Sequence, residues 1–215
     1  MEIYKKNLNK LIQKKIYQSR DEHDACGVGF VASTDGKKTR KVVEYGIEAL
    51  KAVWHRGAVD ADGKTGDGAG IHIEIPKDFF IERIENAGRL HKDGEICVGM
   101  IFLPRNDYTS QEKCKTIVEN ELLNKNYYVY RWRQVPVNTN VLGSKAENNR
   151  PEIVQVIFKS NNASLKDDEL ERDLFIIRKK IEKQSNLLKL KDFYISSFSS
   201  RSIIYKGMFL AESLS

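Results

Sequence analysis

Apolar positions along this chain follow two rhythms, one helical and one alternating. Val43, Ile47, Leu50 and Trp54 recur at i, i+4, i+7 and i+11, which predicts a helix over 40–54. Ile71, Ile73 and Ile75 alternate with His72 and Glu74 and predict a half-buried strand ended by Pro76. The short β-branched run Gly27 to Ser33 predicts a strand closed by the turn Thr34-Asp35-Gly36. A short helix over 77–86 and a strand from Ile96 to Leu103, stopped by Pro104, follow. Cys114, Ile117, Val118, Glu121 and Leu122 predict a helix over 110–124, and 127–133 alternates again. Asn138 to Asn149 is polar and predicts a flexible loop. Ile153 to Phe158 predicts a strand and 167–189 a charged amphipathic helix, while Phe193–Phe198 and Ile203–Tyr205 predict a hairpin. Helices and strands that alternate and then pair predict an α/β or α+β domain. Periodicity alone does not say whether the sheets are parallel.

Composition narrows the functional classes. Of the net charge of +6, the first 20 residues carry +5: Lys5, Lys6, Lys10, Lys14, Lys15 and Arg20 against Glu2. The basic character is therefore local to a leader, and the rest of the chain shows no basic stripe for nucleic acid. Leu8, Leu11, Ile12 and Ile16 give that leader a weakly amphipathic helical spacing; a transit peptide stays as an alternative, against which stand the excess of Lys over Arg and the single Ser. No apolar run has the length of a membrane span or of a signal-peptide core. Cys26, Cys97 and Cys114 lie far apart and predict neither a zinc site nor a disulfide framework, as in a reducing cytoplasm.

Gly57 to Gly70 is dense in glycine and aspartate and predicts a long structured loop. Gly63-Lys64-Thr65 resembles the end of a P-loop, but Ala58 stands where that motif needs its first glycine, and a helix precedes the stretch instead of a strand. Asp60 and Asp62 resemble the start of a calcium loop. Lys64 and Ile71 then occupy positions that need oxygen ligands. Asp67 is expected to form a turn, His72 to be solvated on a strand's polar face, and Cys97 and Cys114 to be inert core thiols. Cys26 has a different setting. Gly27 and Gly29 follow it and allow close backbone approach around its thiol.

The run Cys26-Gly-Val-Gly-Phe-Val-Ala32, the block from Gly46 to His72 and the run from Phe193 to Gly207 resemble the glutaminase domain of the glutamate synthase family. His55-Arg56-Gly57 within the middle block is shared more widely by class II glutamine amidotransferases. The resemblance runs from about Arg20 to the last residue. It implies an α+β N-terminal-nucleophile fold, a four-layer αββα sandwich of two stacked antiparallel sheets with helices outside, incomplete at the C-terminus. It implies residues 1–25 as a leader or propeptide and 26–215 as a partial amidotransferase domain. Cleavage after Ala25 would make Cys26 the first residue and its catalytic nucleophile, supported by Arg56 and Gly57. The substrate implied is L-glutamine. The partners implied are the synthase remainder and the small subunit, with no nucleic acid and no membrane. No cofactor or metal is expected in this chain; FMN and an iron–sulfur cluster are implied for the full-length enzyme, in the cytoplasm or a plastid.

The chain also departs from the pattern. The family holds the glutamine carboxylate with an arginine in an Arg-Phe-Ser-Thr type segment and builds its oxyanion hole from an Ala-His-Asn-Gly-Glu type segment. Neither type occurs in residues 1–215. Loss of one oxyanion donor costs about 10² to 10³ in rate, so the 215 residues alone are expected to be inactive. Three readings stand at this point: part of a glutamate synthase, a non-catalytic interaction module or pseudo-enzyme completed by a separate polypeptide, and an unrelated hydrolase that uses Cys26 differently.

Overall fold

A computed structural model describes residues 2–13, 27–53 and 57–214. Its centre is a four-stranded antiparallel sheet in the order β3-β4-β2-β5: β2 is Ile96–Leu103, β3 Tyr127–Gln134, β4 Glu152–Ser160 and β5 Tyr194–Ser199. A second antiparallel pair joins β1 (Ala69–Glu74) to β6 (Ser202–Gly207). The helices are α1 (Glu2–Gln13), α2 (Arg40–Ala52), α3 (Lys77–Glu85), α4 (Tyr108–Asn124), α5 (Ser144–Asn148) and α6 (Asp167–Leu187).

Alternation along β2 explains the layers. Cys97, Ile101 and Leu103 face one side, where they meet Ile117, Val118 and Leu122 of α4 and Leu170, Leu174, Ile177 and Ile181 of α6. The four α6 residues repeat at i, i+4, i+7 and i+11 and are all essentially inaccessible to solvent. Asp107 starts α4 by accepting the Ser110 amide at 2.9 Å on its side chain. The other side of β2 presents Ile96, Val98 and Met100, which pack with Phe80 and Ile84 of α3 and with Ile203 of β6. β2 thus feeds two cores through its period of two.

Two irregularities adjust this pattern. Tyr130 is an extra residue in β3 against β4, so Tyr127 and Trp132 face the helices while Tyr130 faces α3. Ser196 is extra in β5 against β2, which turns both Ile195 and Phe198 toward the helices despite their odd spacing.

The expected hairpin of residues 193–205 does not form. β5 pairs with β2 and β6 pairs with β1, so the chain changes sheets between Ser199 and Ser202. Glu171 of α6 fixes that corner. Its carboxylate accepts the Ser199 hydroxyl at 2.9 Å and the Ser200 amide and hydroxyl, both at 2.7 Å. Four acceptor sites on one carboxylate satisfy a turn that a two-residue hairpin would have satisfied by itself. The flexible loop expected over 138–149 is also corrected: it holds a 3-10 turn at Thr139–Val141 and then α5. The strand expected over Gly27–Ser33 is absent. These residues have no regular structure, and Val28 and Phe30 are 93% and 90% exposed. An apolar β-branched run becomes a strand only when a neighbouring edge takes its backbone groups, and no described strand pairs with it.

Cys97 and Cys114 are buried free thiols, as expected. Burial raises both pKa values, that of Cys114 to about 11, and Glu171 adds to the rise at Cys97. A thiol reagent at pH 8 is therefore expected to leave both unlabelled in the native protein and to label both in denaturant. Labelling of either thiol before unfolding, read by peptide mass, would contradict the packing described.

Candidate active site

The block that begins at Gly46 and the run that ends at Gly207 lie far apart in sequence, and the fold joins them. β1 and β6 pair in register from Ala69↔Gly207 to Glu74↔Ser202. α2 packs over β1, where Gly46 lies against the Ile71 side chain. Val43, Ile47 and Leu50 form the half-buried face of α2, as their spacing predicts.

Between α2 and β1, residues 57–68 fold into a small hairpin that explains their composition. Ala58 donates its amide to the Asp67 carboxylate at 2.9 Å, and Val59 bridges Gly66. The Asp60 amide donates to the Thr65 carbonyl, and the tip turns at Gly63, whose φ of +70° suits glycine. Asp62 accepts the Thr65 hydroxyl at 2.6 Å, the Thr65 amide at 2.7 Å and the Lys64 amide at 3.0 Å. These aspartates bond to their own loop, as expected for Asp67. Among the described residues no group of three or more His, Cys, Asp or Glu is placed to hold a metal.

The hairpin is docked on the segment before α5. A Cβ on Gly143 would lie 2.1 Å from Asp62 Oδ2 and 2.3 Å from Thr65 Oγ1, so glycine is required there by close approach. Lys145 pairs with Asp60 at 2.7 Å. The sequence pattern missed this tie, because 138–149 reads as merely polar. The one signal it offered was Asp62 three residues before Thr65, the spacing of a side chain that caps its own turn.

The Thr65 hydroxyl first, and the Thr65 and Lys64 amides after it, hold the Asp62 carboxyl well below the ordinary carboxylate range. A depressed folded pKa contributes stability above the unfolded value, near about 3.9. That contribution is lost only as pH falls through the folded value. Asp62 is therefore expected to stay ionised near about pH 3, where free carboxyls are protonated. A carboxylate carbon NMR titration with an Asp62 midpoint at or above about 4 would contradict the hairpin's bonding.

Of the predicted site residues, Cys26 and Arg56 lie outside the described residues, as do Trp54 and His55. Gly57 is an exposed bend at the root of the hairpin. His72 lies exposed on β1, as its place on the strand's polar face predicts. Among the described residues no helix is long and apolar enough to cross a membrane.

The fold is a mixed helix and sheet domain with antiparallel sheets, and the sequence profile described as "Glutamine amidotransferases class-II" matches residues 26–215. The chain belongs to the class-II glutamine amidotransferases, a family of enzymes. It is 55% identical over 211 residues to the large chain of the NADPH glutamate synthase of Azospirillum brasilense, covering 98% of this chain and 14% of that one. It is 41% identical over 191 residues to the ferredoxin-dependent glutamate synthase of Pyropia yezoensis, covering 87% and 12%. It is 36% identical over 198 residues to the NADPH glutamate synthase large chain of Bacillus subtilis, covering 92% and 13%. The chain therefore spans about one-eighth of the length of these curated relatives.

Proposed function

We propose that this chain is the glutaminase part of a glutamate synthase, with Cys26 as the nucleophile that hydrolyses L-glutamine to glutamate and ammonia. The observation that carries the proposal is that the family match begins at Cys26. The pairing of β1 with β6, which joins two of the three resembling stretches, supports it. The described elements also fit into a four-layer αββα sandwich. α4 and α6 would form one outer layer, the four-stranded sheet and the β1–β6 pair the inner two, and α2 part of the other outer layer.

Residues 1–25 act as a propeptide in this proposal. Cleavage after Ala25 frees the Cys26 α-amine, whose ordinary pKa of about 7.7–8.0 leaves part of it neutral near pH 7. That amine takes the thiol proton, and the thiolate attacks the glutamine side-chain carbonyl. A C–S bond forms, and the carbonyl oxygen carries negative charge in the tetrahedral intermediate. Ammonia leaves with the transferred proton as the C–N bond breaks. Water then cleaves the γ-glutamyl thioester, which releases glutamate and restores the thiol. Arg56 supports the nucleophile end by hydrogen bonding, with Gly57 shaping the turn beside it. Among the described residues the cysteines are two separate core thiols, a set that does not fit an iron–sulfur cluster. That cluster and FMN belong to the remainder of the longer protein, where ammonia is added to 2-oxoglutarate. The remainder and the small subunit are the partners, in the cytoplasm, with a plastid as the alternative compartment.

Processing is the activation step. The test uses the protein that carries this chain, with its N-terminal mass and its glutaminase rate measured on the same sample. Glutamine hydrolysis is expected to appear only with the species that begins at Cys26. Full activity in a protein that keeps residues 1–25 would overturn the proposal, because an Ala25–Cys26 amide has no basic lone pair.

A further inference from the structure

Three arginines crowd one face of the four-stranded sheet. Arg131 and Arg133 stand two residues apart on β3, opposite Ile157 and Gln155 of β4, on the side where α3 packs. Arg131 donates to the Arg83 carbonyl at the end of α3, at 2.8 Å. The guanidiniums of Arg83 and Arg133 both lie over the ring of Phe79, at 4.9 and 5.2 Å from its centroid. Arg133 also donates to the fully buried Gln155 at 2.8 Å.

This gathering of positive charge is under-compensated. Among the described residues its one ion pair is Arg83 with Glu82, at 3.6 Å on an exposed carboxylate. The Nε of Arg83 is buried and has no hydrogen-bond partner. Burial, and then the charges of Arg83 and Arg131, lower the Arg133 pKa against the opposing effect of Tyr205. An unpaired buried donor costs about 1–3 kcal/mol, more when charged. A planar guanidinium is matched bidentately by a carboxylate or a phosphate, and a polypeptide segment without modification supplies the carboxylate.

The surroundings indicate what supplies that carboxylate. Phe79, Val135, Ile153 and Tyr205 are half-buried on the same face, which asks for apolar cover as well as negative charge. Strand addition at β3 is opposed: Arg89 donates to the Val129 and Tyr130 carbonyls on that strand. A side chain approaching the face is therefore favoured over a strand extending the edge. Three cations against one exposed carboxylate favour a negatively charged occupant, and the half-buried apolar rim favours one that stays in place. The relatives above are about seven times as long as this chain, so proteins of this type have further polypeptide that can supply such a segment.

We propose that Arg83, Arg131 and Arg133 form a docking site for an acidic side chain, carried by an acidic and apolar segment of the same longer polypeptide outside the described residues. The site is independent of the Cys26 chemistry. The test replaces Phe79 by p-benzoylphenylalanine in the protein that carries this chain, which keeps all three arginines and an aromatic ring beneath two of them. Irradiation and peptide mapping are expected to find a crosslink to a peptide outside residues 2–13 and 27–214 that contains Asp or Glu. Arg133→Glu should then lower the melting temperature. Reversal of the crosslinked acid to arginine should restore at least half of the loss, which reversal of an exposed control acid should not do. Crosslinks confined to residues 2–13 and 27–214, no crosslink, or no rescue by the reversal would each overturn the proposal. Inorganic phosphate that stabilises the wild-type protein but not Arg83→Met, with no such crosslink, would assign the site to a free anion and overturn it equally.

Discussion

Replacing Cys26 by alanine in the protein that carries this chain is expected to lower glutamine hydrolysis by about 10⁴-fold or more, the scale of loss of a covalent nucleophile. In the proposed mechanism the thiol sulfur forms the intermediate, so alanine would leave no route except direct attack by water. Serine is expected to rescue little, because a hydroxyl holds its proton far more tightly than a thiol near neutral pH. The loss should fall on kcat, with KM for glutamine changed little, since the nucleophile acts on the transition state more than on the bound substrate. An electrophilic glutamine analogue should label wild-type protein once, at Cys26, and leave Cys97 and Cys114 free, because those thiols are buried and their pKa values are raised. The measurements are steady-state kinetics and peptide mass after labelling. Retention of more than about one-tenth of the rate in Cys26→Ala would place the nucleophile elsewhere; a true nucleophile cannot be lost so cheaply.

The largest stability effect is expected at Phe158. This side chain is fully buried toward the C-terminal end of β4, with its ring 4.9 Å from that of Phe198 and 5.8 Å from that of Tyr127. It packs in the core shared with α4 and α6, so its removal opens a cavity between the sheet and both helices. Phe158→Ala is expected to cost about 3–5 kcal/mol, from lost burial plus the cavity that the surrounding helices cannot fill. Phe158→Leu keeps most of the volume and is expected to cost under about 1.5 kcal/mol. Urea unfolding followed by far-UV circular dichroism measures both. A cost below about 1 kcal/mol for the alanine variant would mean that this face is not a packed core.

Much of the fold was legible in the sequence because the signal is local. The i, i+4, i+7 spacing of α2, the amphipathic pattern of α6 and the alternation of β1 and β3 record which side chains must leave water, and this needs no knowledge of partners. The inert character of Cys97 and Cys114 followed from the same faces. The resemblance to glutaminase domains was also carried by three local stretches of residues, and the family match covers residues 26–215 of the region it indicated.

What the sequence by itself determined is therefore the type and place of most elements, the family, and the residue types on which its chemistry would rest. Pairing was decided only in three dimensions. β5 and β6 read as a hairpin because they are adjacent and apolar. The Glu171 carboxylate, reached from another helix, ties the corner that sends them to different sheets. Gly27–Ser33 read as a strand because of its composition, yet a strand is defined by a neighbour's backbone, and none of the described strands supplies it. The docking of Asp62 and Thr65 against Gly143, and the gathering of Arg83, Arg131 and Arg133 around Phe79, join residues with no shared periodicity. Such contacts depend on distance through space and on which polar groups are left to satisfy once the backbone has folded. A one-dimensional pattern does not encode either quantity.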